Sequence, residues 1–202
     1  FISLVVFKFL LETYLKIRNI SSIQKNRNKI PERFRNVVTE EEYKKSIEYN
    51  LDRVKFQIFT AFFSSVILLL FTLGGLFNYL ANIVINTTSS DILGAVLLGL
   101  LLLIVEEIIS IPIAIYSTFV IEERHGFNKT TKKTFVTDLI KSLLISATIS
   151  SILYAIVIYI VVNLGEMWWL YAFGAVFLLQ AIIFFLYPVL IMPLFNKFEP
   201  LD

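Results

Sequence analysis

Long apolar runs alternate with short polar ones along nearly all of the chain. A bilayer core about 30 Å thick takes roughly 20 mostly apolar residues per helix. On that measure five membrane spans are predicted: Phe1–Leu15, Phe56–Leu80, Asp91–Ile121, Leu139–Asn163 and Glu166–Phe195. The first is short and lacks upstream turns. The third is long enough to tilt or to project from the membrane. The runs are too long and too evenly apolar for strands, and no two-residue alternation suggests a barrel. The class predicted is therefore all-α integral membrane, with five transmembrane helices.

Composition agrees with the pattern. Of 202 residues 57% are apolar, against about 45–50% in soluble domains. There is no cysteine, which excludes disulfides and thiolate metal sites. A net charge of +2 gives no indication of nucleic acid binding. No signal peptide is visible, and the apolar pattern already runs at Phe1, so the chain is read as a piece of a longer protein.

The placement of charge says more than its sum. Eleven of the 18 Lys and Arg fall in Lys16–Lys55 and four in Glu122–Asp138, while Ala81–Ser90 and the turn at Gly165 hold none. By the positive-inside rule the N-terminus is expected outside and the C-terminus inside. Trp168 and Trp169 then stand at the outer interface, where indoles are favoured. Within the first basic segment, Thr39 and Glu42 read as a capping box. The stretch that follows has neither Gly nor Pro, so one helix is expected from about Glu40 into the second span.

Ionisable groups inside spans cost about 2.5–3.5 kcal/mol each on insertion scales and usually face protein or water. Lys8 and Glu12 are spaced to pair on one helical face. Glu106 and Glu107 sit midway along the third span. Neighbouring helix positions point about 100° apart, so at least one of the two is expected to face an aqueous interior. Pro112, Pro188 and Pro193 each withdraw a backbone donor and are expected to bend their spans. The glycines of Leu73–Leu76, with Gly94 and Gly99, read as packing contacts between helices. Asn86-Thr87-Thr88 is a glycosylation tripeptide that hugs the membrane and is taken as chance.

The catalytic inventory is short. One histidine cannot build a two-histidine zinc site, and HExxH, GxSxG and the phosphate-loop pattern are all absent. No catalytic residue and no metal ligand is assigned within the chain. From the residues alone the reading stops at a five-span module with a polar interior.

One charged stretch invites more. Thr118–Thr131, "TFVIEERHGFNKTT", resembles a segment of the integral-membrane CAAX prenyl proteases. So do "LLETYLKIR", "EEYKKSIEYNLDRVKF", "GEMWWLYAF" and "YPVLIMPLFNKFEPL", in the family's order across the whole chain. The resemblance implies a seven-helix barrel around a hydrophilic chamber, of which this chain supplies the N-terminal five-helix region. It implies a zinc metallopeptidase whose HExxH motif and glutamate ligand lie beyond residue 202. Zinc would polarise the scissile carbonyl and a bound water, with the motif glutamate as general base. The implied partners are membrane lipid, the zinc catalytic domain of the same protein and prenylated protein C-termini. The implied location is the endoplasmic reticulum or inner nuclear membrane of a eukaryote, or a bacterial cytoplasmic membrane.

On that resemblance the candidate chamber-lining or substrate-binding residues are Glu106, Glu107, Glu122, Glu123, Arg124, His125 and Asn128. Two readings of Glu122–Asn128 stay open. Arg124 or His125 grips a terminal carboxylate, or the segment is a structural latch in which Gly126 turns the chain, Asn128, Thr130 and Thr131 cap the next helix, and the charges pair with the zinc domain. The latch is preferred. A rival from another class is a transporter or channel fragment using Glu106 and Glu107 as an ion or proton path.

Overall fold

The computed structural model describes residues 1–27, 30–32 and 38–195, and these contain helices and no strand. Seven α-helices follow in order: α1 (Ile2–Asn26), α2 (Glu40–Thr72), α3 (Leu76–Ile85), α4 (Asp91–Tyr116), α5 (Lys132–Asn163), α6 (Trp168–Leu186) and α7 (Met192–Phe195). Two of the joins are π-helical, Ser117–Glu122 after α4 and Tyr187–Ile191 after α6. The helices group into two compact units, Phe1–Asn78 with Ile108–Thr130, and Tyr79–Glu107 with Thr131–Asp202.

Helix starts follow the local chemistry. Thr39 Oγ1 accepts the Glu42 N–H at 3.2 Å, and Glu42 accepts the Thr39 N–H at 2.9 Å, completing the capping box. The Thr39 N–H, with its hydroxyl second, holds the Glu42 carboxyl below its ordinary range. α2 then runs without interruption from Glu40 to Thr72, as the absence of Gly and Pro predicts. Thr131 caps α5 by accepting the Thr134 N–H at 3.1 Å.

Among the described residues, four stretches are long and apolar enough to cross a membrane: Glu40–Thr72, Asp91–Glu122, Lys132–Asn163 and Gly165–Phe195. The expected first span is not among them. α1 extends past Leu15 to Asn26, and Lys8, Glu12 and Lys16 interrupt its apolar run. The second expected span, Phe56–Leu80, is broken. α2 ends at Thr72, and Gly75 adopts φ +77°, a left-handed conformation that a side chain disfavours. The glycine pair in Leu73–Leu76 is thus a helix break, not the packing contact expected. Gly99 does meet that expectation. It is buried in α4, and a Cβ there would run into the Tyr154 ring of α5. In the extended sequence motif Tyr187–Leu201, the last residues lie outside the described part of the chain.

Two of the prolines stand near irregular helical turns, and Pro193 lies within the short α7. Pro112 lies inside α4 and leaves the Ile108 carbonyl without its i+4 donor. The six-residue π-turn follows within two turns. Pro188 stands at the start of the second π-turn. Such turns insert an extra residue into a helix and are frequent at functional sites.

Candidate functional site

The first unit carries the charged cluster. After the π-turn the helix ends, and Gly126 reverses the chain at φ +73°. The Phe127 N–H donates to the Glu122 carbonyl at 2.8 Å. This turn aims Arg124 and His125 at α2. Arg124 Nη1 and His125 Nε2 each lie 3.1 Å from the same oxygen, Asp52 Oδ2. An ionised carboxylate only accepts, so Nε2 carries a proton and donates it.

The environments of the three differ. The His125 side chain is 7% exposed, Asp52 28% and Arg124 58%. Tyr49 packs edge-on against the His125 ring at 5.6 Å and against Phe127 at 4.7 Å. Lys45 Nζ sits 5.9 Å from the centre of the Phe127 ring, a cation over an aromatic face. Asp52 precedes the apolar stretch that begins at Phe56. The His125 hydrogen bond, and then the Arg124 guanidinium, hold its carboxyl below the ordinary range, against the opposing effect of partial burial.

The rest of the loop is tied to itself. Asn128 Nδ2 donates to Glu123 Oε2 at 2.7 Å, and Asn128 Oδ1 accepts the Thr130 N–H at 2.7 Å. The structure therefore brings Arg124 and His125 to Asp52, with Tyr49 packed on His125, while Glu123 and Asn128 bond to each other and Glu122 enters through its carbonyl. Glu106 and Glu107 belong to the second unit. There Glu106 is exposed and Glu107 half-buried. The basic pair is held by Asp52, within this chain.

Sequence reasoning missed Asp52. It stands in the basic, solvated-looking opening of α2, and only its seam with a residue 73 positions away gives it meaning. Lys141 was missed too. It donates to the Leu194 carbonyl at 2.7 Å, so a cation meets the carbonyl end of α7.

A second polar region runs between α1 and α2. Lys8 and Glu12 pair at 3.8 Å, as their spacing predicts, and Lys16 Nζ donates to the Gln57 carbonyl at 3.1 Å. Thr60, Ser64 and Ser65 face the same cavity of about 380 Å³. The Thr13 hydroxyl is buried without a partner among the described residues.

Residues 19–197 match the family described as CAAX prenyl protease N-terminal, five membrane helices. The chain belongs to that family. The family's relatives reach across eukaryotes. A probable CAAX prenyl protease 1 of Schizosaccharomyces pombe is 34% identical over 96% of this chain and 44% of its own length. A CAAX prenyl protease 1 homolog of Oryza sativa is 32% identical, over 97% and 47%. The crystal structure of S. mikatae Ste24p superposes with a TM-score of 0.88 at 28% identity, covering 100% of this chain and 48% of that one. The chain thus spans about half the length of the curated relatives it matches. Membership makes it a multi-pass integral membrane protein of a protease family.

Proposed function

We propose that this chain is the membrane domain of a zinc metalloendopeptidase that processes prenylated CAAX C-termini, and that it forms the chamber and the path by which substrate enters. The observation that carries the reading is the match of the whole chain to Ste24p at a TM-score of 0.88. The described residues offer no group of three His, Asp or Glu placed to hold a metal. The reading therefore assigns zinc to the half of the relatives' length that this chain does not span. Its test is cleavage of a farnesylated CAAX peptide by the full-length protein, with loss on chelation and recovery on adding zinc. A full-length sequence with no HExxH after residue 202, or no cleavage with zinc bound, defeats it.

Within this reading the Glu122–Asn128 segment is a latch. Support comes from the burial of His125, its shared oxygen on Asp52 and the closed bonding of Asn128. The exposed face of Arg124 supports a second role, holding a substrate carboxylate, for which a guanidinium fork is suited. Alanine at 124 separates the two: a rise in KM with unchanged thermal stability assigns substrate contact, a parallel fall in stability and turnover assigns the latch. Glu106 and Glu107 are assigned to the chamber wall.

Orientation follows from the basic segments. Single cysteines at Ser46 and Thr130 are expected to react with impermeant thiol reagents from the cytosolic side, and one at Ser89 from the opposite side. Labelling of positions 89 and 130 from one face overturns the assigned topology.

A further inference from the structure

Between α2 and the second half of α4, within the first unit, lies a groove of about 590 Å³ that begins at the latch and runs on beside it. Its α2 wall is an aromatic ladder. Phe56 stacks on Phe59 at 6.1 Å and Phe59 on Phe63 at 6.3 Å. Ile113 and Tyr116 form the facing wall, with the Tyr116 ring 4.9 Å from Phe56. The apolar wall is not sealed: Phe59 is 55% exposed and Tyr116 45%. One end of the groove is different. Asp52, Lys55 and Arg124 rim it.

The charge at that rim does not cancel. The bonded oxygen of Asp52 is already shared by Arg124 and His125. Lys55 is exposed and enters no ion pair among the described residues, and Arg124 turns most of its fork outward. The rim is thus a surplus of cation at the membrane-facing edge of a chain segment that is rich in Lys and Arg. The volume is that of a ligand pocket, and the shape is apolar with a basic mouth.

We propose that this groove binds an anionic phospholipid of the cytoplasmic leaflet, one acyl chain lying along Phe56, Phe59 and Phe63 and the phosphate meeting Lys55 and Arg124. Basic pockets between membrane helices on that side recognise anionic headgroups. The aromatic ladder supplies the apolar contact that a soluble phosphate would not use. The occupant goes beyond the protease reading, and its leaflet rests on the orientation proposed above.

The test uses the full-length protein released from nanodiscs into native mass spectrometry. The nanodiscs hold equal dioleoylphosphatidylglycerol and dioleoylphosphatidylcholine. The wild type is expected to retain the anionic lipid preferentially. Lys55→Glu is expected to lower that preference about fivefold or more, the scale of one basic side chain at an anionic surface. Ile113→Trp, which fills the groove, is expected to lower retention of the anionic lipid while thermal unfolding stays near wild type. Lys55 is exposed, so its variant decides the matter even if Ile113→Trp does not fold. Equal retention of both lipids by the wild type overturns the proposal, as does a preference untouched by Lys55→Glu. Binding of a farnesylated peptide that depends on Ile113, with lipid retention unaffected by either change, assigns the groove to substrate and also overturns it.

Discussion

Replacing Asp52 with alanine is expected to lower stability and, in the full-length protease, activity together. The carboxylate accepts from a nearly buried His125 and from Arg124 through one oxygen. Without it the His125 N–H loses its acceptor in a nearly buried position beside Tyr49. A buried polar group left unpaired costs about 1–3 kcal/mol. The Arg124 share is small, because that side chain is largely exposed and regains water. Asp52→Asn keeps an acceptor oxygen and is expected to cost less. Acid supplies the same test without mutation. The folded-state pKa of Asp52 is depressed, so its contribution is present above the ordinary carboxylate range and is lost as pH falls through the folded value. Thermal unfolding across the acidic range is therefore expected to show a smaller pH-dependent loss in Asp52→Asn than in wild type. A wild-type-like melting profile for Asp52→Ala would show that the contact carries no stability.

The contrast between Asp52 and its partners explains what was legible in the sequence. Long apolar runs announce membrane helices because the bilayer fixes their length, and α2, α4, α5 and α6 each carry such a run, although α2 stops at Thr72. Thr39, Glu42 and Thr131 were readable because a cap joins residues three apart. Arg124 and His125 drew notice because charge stood out between spans. Asp52 did not, because it is one acid among many polar residues, and its role depends on a contact across the fold. The break at Gly75 was hidden for a related reason. A glycine pair in an apolar run reads the same whether it serves close packing or a left-handed turn. α1 shows the limit of composition: its charges dilute the apolar signal, and the family description counts five membrane helices where length and hydropathy give four.

Gly99 is where one methyl group is expected to matter most. It is buried in α4, and a Cβ would overlap the ring of Tyr154 on α5. Small residues at such points let membrane helices approach, and dispersion contacts across the seam hold them there. Valine at 99 therefore forces the ring aside or the helices apart. Overpacking of this kind costs typically about 1–3 kcal/mol. The cause can be separated from any loss of helix propensity or change in hydropathy, since valine is well tolerated in a membrane helix. Tyr154→Ala alone opens a space and is also expected to destabilise. The two changes together are expected to be less harmful than their sum, because the valine side chain enters the volume the ring has left. Thermal unfolding of the two single variants and the double variant in detergent gives the coupling directly. Strictly additive losses would show that Gly99 and Tyr154 do not share the contact, and that α4 and α5 meet some other way at this level.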